Sequence, residues 1–222
     1  MDEHLTQLKF HFERHRDFAK AEPMAKYMKN NYPFLGIKKP ERTQLLRLFY
    51  AQTGILKEPF DPKWVRVLWA QEEREYHYAA LDYLEKSQKK LDGTHISLME
   101  ELITTNSWWD TVDTIATKLV GGIARKSPEV ILDRIEGWAY GEHLWLRRTA
   151  ILFQLKYKGQ TDESLLYRYI EQNADSKEFF IQKAIGWVLR EYSKTNPESV
   201  RQFIESHPLA ALSIREGSKY LK

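Results

Sequence analysis

Trp145-Leu146-Arg147-Arg148-Thr149-Ala150-Ile151-Leu152-Phe153 reads as a largely buried helix, and the alanine inside it sets the frame for the rest of the chain. Its apolar residues recur at helical spacing, without the alternation of a strand. Ala116 lies 34 residues before Ala150, Ala184 lies 34 after it, and Ala80 precedes Ala116 by 36. These alanines occupy similar places in helices beginning near Arg74, Ser107, Gly141 and Lys177. A period of this length marks a helical repeat. A small residue at a recurrent position lets neighbouring helices approach closely, and stacked helix pairs curve into a right-handed solenoid with a concave inner surface. The expected fold is all-α, with a compact non-repeating bundle as the alternative on pattern alone.

The punctuation agrees with short helices joined by short turns. Gly54, Gly93, Gly121-Gly122, Gly141 and Gly159 fall between or near the ends of apolar-periodic segments, and Pro62, Pro128 and Pro197 stand where helices start. The 222 residues are 42% hydrophobic and 13% aromatic, enough for a sizeable core. The absence of cysteine excludes disulfide scaffolds, zinc-thiolate sites and thiol nucleophiles. Met1-Asp2-Glu3-His4 is polar with no apolar signal core behind it, and no stretch has the apolar length of a membrane span. These features give the expectation of a soluble, cytoplasmic protein with no membrane partner. A net charge of +3 decides little, because a nucleic-acid role depends on positive charge gathered on one face.

Ser107-Trp108-Trp109-Asp110-Thr111-Val112-Asp113 opens one of the repeat helices. Trp109 and Asp113 are four residues apart and share a helix face, presenting an indole beside a carboxylate, a pair suited to a cation. The alternative is a core tryptophan beside a solvated Asp113, with Ser107 or Asp110 as a helix cap. If corresponding helices line the concavity, Arg147 and Arg148 follow on the next helix, and Trp187, Arg190 and Lys194, spaced three and four apart, on the one after. That gives an acidic, aromatic centre with a basic rim suited to backbone phosphates.

On these residues the chain resembles the DNA alkylation repair glycosylases of the AlkD family, built from HEAT-like repeats. The resemblance runs from Phe34-Leu35-Gly36-Ile37, Pro40 and Arg42, through Trp-Trp-Asp-x-x-Asp, to Leu146-Arg147-Arg148 and the helix bearing Trp187. It implies a single domain over residues 1–222 that excises positively charged N3- and N7-alkylated purines from duplex DNA. Trp109, Asp113 and Trp187 are then at the lesion, Arg148 is on the DNA backbone and Tyr27 is directed to the opposite strand. It also implies that the base stays in the stack. Sliding Asp113 forward by the repeat spacing lands instead on Arg147, which is held as the alternative to Arg148.

The chemistry suits one carboxylate. A purine alkylated at N3 or N7 already carries a positive charge, so it leaves without a proton from a general acid, while an anion stabilises the oxocarbenium ion developing on the sugar. Trp109 and Trp187 suit a cationic nucleotide through cation–π attraction. No lysine beside the motif stands out as a Schiff-base nucleophile, so the enzyme is expected to be monofunctional. His4, His11 and His15 share a helix face without a partnering acid motif, and no phosphate-binding glycine loop is present, so neither metal nor cofactor is assigned. Monomeric action is the simplest expectation for a groove that admits a duplex. The competing class is a non-catalytic repeat scaffold binding DNA or a protein.

Overall fold

The computed structural model describes residues 3–221; Met1 and Asp2 of the polar N-terminal tetrapeptide, and Lys222, lie outside them. The regular elements of the described residues are all helices, with no strand. The chain divides into two compact units, one up to Lys90 and the other from Leu91 onward.

The first unit contains helices Glu3–Glu13, Phe18–Tyr27, Lys39–Thr53, Pro62–Trp69 and Arg74–Lys86. Their ends are written locally. The side chains of Asp17 and Asp61 accept hydrogen bonds from the backbone N–H of Lys20 and Lys63, satisfying donors that the first helical turn leaves open. Pro62 takes the first helical position, and Gly54 closes the third helix in the left-handed conformation, φ 68°. Phe12, Phe49, Trp64, Tyr76 and Leu84 fill the core.

Gly36 explains the Phe34-Leu35-Gly36-Ile37 motif. Its φ is +92°, and a Cβ there would stand 2.0 Å from the carbonyl oxygen of Asp17, so only glycine fits. The buried Glu75 carboxylate accepts hydrogen bonds from the N–H groups of Leu35, Gly36 and Ile37 at 2.9, 3.0 and 3.1 Å. Three donors of an irregular segment are thereby satisfied away from water.

The alanine repeat has its first helix in the first unit and the following three in the second. The expected starts near Arg74, Ser107, Gly141 and Lys177 correspond to helices beginning at Arg74, Trp109, Leu144 and Phe179. Ala80, Ala116, Ala150 and Ala184 are all buried, as the close-packing argument requires. Hydrogen bonds step across neighbouring repeats: Tyr157 Oη donates to the Gly121 carbonyl, Asn173 Nδ2 to the Ala139 carbonyl, and Tyr169 Oη to Glu136. A core of Ala116, Ile151, Leu152, Ile181, Ala184, Ile185 and Leu189 runs through the same helices.

Gly121-Gly122 differ from the reading as a break. Trp109–Thr114 continues through a π-helical segment, Ile115–Val120, into Gly121–Lys126, so the glycines lie inside one long helix. Gly121 is there for proximity: a Cβ would meet the Phe153 carbonyl oxygen at 2.4 Å.

Candidate active site

Asp113 lies on the Trp109–Thr114 helix, directly ahead of the π-helical segment. Arg148, on Leu144–Leu152, meets it side-on: Nε donates to Oδ1 at 2.7 Å and Nη2 to Oδ2 at 2.9 Å. The third nitrogen, Nη1, donates to the carbonyl of Phe180, on Phe179–Tyr192. One guanidinium thus ties three successive repeat helices together in a geometry that lysine, with its single ammonium, does not reproduce.

The Arg148 side chain is 6% exposed and that of Asp113 is 17% exposed. The arginine is committed inward, while one edge of the carboxylate remains open. Each carboxylate oxygen accepts one bond from Arg148, which leaves accepting capacity on both for a further ligand. Burial pushes the Asp113 carboxyl above its ordinary value, and the hydrogen bonds and charge of Arg148 pull it back.

The pair sits against an aromatic cluster. Trp108 contacts Trp145 edge-on at 5.8 Å and Phe180 at 5.3 Å, and Trp145 and Phe180 lie 4.9 Å apart between centroids. Arg148 lies 5.8 Å from the Phe180 ring centroid. Trp108, rather than Ser107 or Asp110, is the residue preceding the helix, and it offers no side-chain cap. Its buried Nε1 has no hydrogen-bond partner among the described residues. Sequence reasoning passed over Trp108, Trp145 and Phe180 as members of the site. The signal was present as large aromatics recurring 37 and 35 residues apart at the openings of three successive repeat helices.

The other sequence-selected residues fall as follows. Trp109 is half-buried, one helical turn before Asp113. Trp187 is half-buried and packs on the core of the second unit, two turns beyond Phe180 and on its face of the helix. Arg147 diverges from Arg148: its Nε donates to Asn173 Oδ1 at 2.7 Å, so it braces a neighbouring helix rather than Asp113. Arg190 donates to Glu216 at 3.1 Å, and Lys194 to Glu191 at 2.6 Å. Glu216 also receives Lys183 at 3.3 Å and Lys219 at 2.7 Å. Three cations around one carboxylate leave a surplus of positive charge, and Lys219 foremost, with Lys183, draws its carboxyl down to about 2. Tyr27, in the first unit, is 69% exposed.

Among the described residues, no three His, Asp or Glu side chains gather as a metal-holding group. His11 Nε2 bonds Gln52 Oε1 and His15 Nδ1 bonds the His11 carbonyl, while His4 packs edge-on against Phe49 and Trp64. Among the described residues no helix is long and apolar enough to cross a membrane.

Comparison with known proteins adds a family. A family model described as DNA alkylation repair enzyme matches residues 8–221. Among solved structures, a "Predicted DNA alkylation repair enzyme from Enterococcus faecalis" matches with a TM-score of 0.83 and 32% sequence identity, over 93% of this chain and 96% of that one. Comparison with curated proteins gives no match.

Proposed function

The chain belongs to the DNA alkylation repair enzyme family, and from that premise we propose that it is a monofunctional glycosylase releasing positively charged N3- and N7-alkylated purines from duplex DNA. The observation that carries this reading is the Asp113 carboxylate, held bidentately by Arg148 with one edge still open. The pair also ties the repeat helices together, but that structural role needs no carboxylate edge left open to a ligand.

The reaction needs little else from the protein. As the bond between C1′ and the base nitrogen breaks, its electron pair moves into the purine and cancels the positive charge there. The cation left on the sugar is stabilised by Asp113, and water adds to C1′. The water's proton passes to the carboxylate and from there to solvent. Trp109 and Trp187 hold the cationic nucleotide by apolar contact and cation–π attraction, worth about 0.5 to 2 kcal/mol for each contact. Arg148 is the positioning residue for the carboxylate. Arg190, Lys194 and Tyr27 meet the DNA strands, the two cations contributing through counterion release. The base remains in the stack, so selection rests on its charge and lability rather than on a deep pocket, and the protein acts as a monomer.

The test is release of free base from a duplex containing N7-methylguanine, set against spontaneous depurination. Wild-type chain accelerates release, and Asp113→Asn loses it by about 100-fold or more with duplex binding retained. Retained binding with no release by the wild type moves the chain to the scaffold class.

A further inference from the structure

The first unit contains a cavity of about 470 Å³ that the site above does not use. Its walls are Pro23, Met24, Tyr27, Phe34 and Tyr78, and its lining includes Lys20 and Lys38. The helix that supplies one wall, Phe18–Tyr27, buries none of its residues. Ala21, Met24 and Ala25 pack half-buried on one side of it, while Pro23 and Tyr27 at the cavity are exposed, so the edge that borders the cavity is left open.

Charge behind one wall of the cavity, on the Tyr78 ring, points to an occupant. The Arg42 guanidinium lies 4.3 Å from the centroid of the Tyr78 ring. It is half-buried, and burial draws its pKa below the ordinary arginine value. Among the described residues no carboxylate or carbonyl accepts a hydrogen bond from it. Other cations nearby are spoken for: Arg16 binds Glu13 and Glu73, and Lys20 binds Asp17. Lys38 is exposed beside the cavity. A desolvated guanidinium stacked on a tyrosine, with its donors unfilled, is arranged to receive an anion with paired oxygens.

We propose that this cavity takes one unstacked nucleotide of a DNA strand other than the alkylated one, its base against Met24, Tyr27 and Phe34 and its phosphate on Arg42 and Lys38. A base presents flat faces that aromatic side chains accept whatever its identity, and its phosphate supplies the oxygens that Arg42 lacks. The volume falls in the range of pockets that enclose a small molecule, and a base still stacked between neighbours does not enter it. This rests on the reading of DNA as the partner, but not on the chemistry at Asp113.

The test uses an unalkylated duplex with a single bulged 5-iododeoxyuridine, irradiated with the full chain, digested and mapped by mass spectrometry. Crosslinks are expected within residues 20–42 or at Tyr78. The double variant Lys38→Gln, Arg42→Gln is expected to lower their yield at least fivefold with unchanged thermal unfolding, and Asp113→Asn to leave the yield as in wild type. Crosslinks confined to the second unit, or a double variant that crosslinks as wild type does, would overturn the proposal. Excision of N7-methylguanine is scored in parallel. Excision without a cavity crosslink removes the cavity proposal and leaves the glycosylase; a cavity crosslink without excision does the reverse.

Discussion

Arg148 reaches Asp113 across 35 residues and grips both carboxylate oxygens, at 2.7 and 2.9 Å, while its remaining nitrogen holds the Phe180 carbonyl. Electrostatics and architecture therefore converge on one side chain. Removing one member of a buried pair leaves an uncompensated charge and costs about 3 to 5 kcal/mol, so Arg148→Ala should lower stability as well as activity.

The pH profile separates those two effects. On the proposed mechanism excision needs ionised Asp113 and should decline as pH falls through the carboxyl's pKa, which burial raises and Arg148 lowers. In Arg148→Gln the lowering influence is gone, and the acid limb of the pH–rate curve should move to higher pH, with partial recovery above it. Arg147→Gln, whose wild-type partner is Asn173, should cost about 1 kcal/mol of stability and leave the limb in place. Equal limbs in the two variants would remove Arg148 from the role of tuning Asp113.

Trp108 gives a prediction with two magnitudes. Its ring packs on Trp145 and Phe180, but its buried Nε1 has no partner. Trp108→Ala should cost about 3 to 5 kcal/mol through the cavity it opens. Trp108→Phe keeps much of the ring packing while deleting an unsatisfied donor, and should cost under about 1.5 kcal/mol. Urea unfolding of both variants checks the difference.

Glu75 is buried with three backbone donors on its carboxylate. Glu75→Gln keeps the size but turns one accepting oxygen into a donor facing N–H groups. A loss of about 2 to 3 kcal/mol is expected, read as a lower midpoint in chemical denaturation. Local proteolysis around residues 33–38 should rise with it.

Much of the scaffold was legible in the chain. The alanine period located the helices that begin at Arg74, Trp109, Leu144 and Phe179, because close packing in a repeat demands a small residue at a fixed place. The partner of Asp113 was harder to read. Sliding by 34 residues selects Arg147, yet the contact spans 35. Repeat spacing varies by a residue or two, and a helix turns its side chains by about 100° for each residue, so arithmetic along the chain does not decide which of two adjacent arginines faces inward. Glu75 went unseen for a related reason: an acid within an apolar helix announces burial only once the backbone it serves is known. The glycine inside Phe34-Leu35-Gly36-Ile37 was the available hint, since it marks irregular backbone whose N–H groups need acceptors.

Glu216 sets a further pH test. Its carboxyl is drawn from the ordinary 4.5 down to about 2 by Lys219 and Lys183. A depressed carboxyl stabilises the fold above its unfolded pKa and loses that contribution as pH falls toward the folded value. Wild-type chain should therefore lose the anchoring of the Ala211–Gly217 helix progressively below about pH 4.5. Glu216→Gln, lacking this contribution at every pH, should show a flatter acid transition by hydrogen exchange of that helix.

The bonds from Tyr157 to Gly121, Asn173 to Ala139, Tyr169 to Glu136 and Arg148 to Asp113 span 36, 34, 33 and 35 residues. Each therefore reaches one neighbour and stops, like a stitch between adjacent courses. Change in length along this part of the chain is then quantised: gaining or losing a whole course closes on matching stitches, whereas a gain of a few residues inside one helix misaligns every stitch on both its sides. Surviving insertions should accordingly gather in the turns between courses, at positions such as Gly141-Glu142 and Gly159-Gln160, which no such stitch crosses at its anchoring atoms.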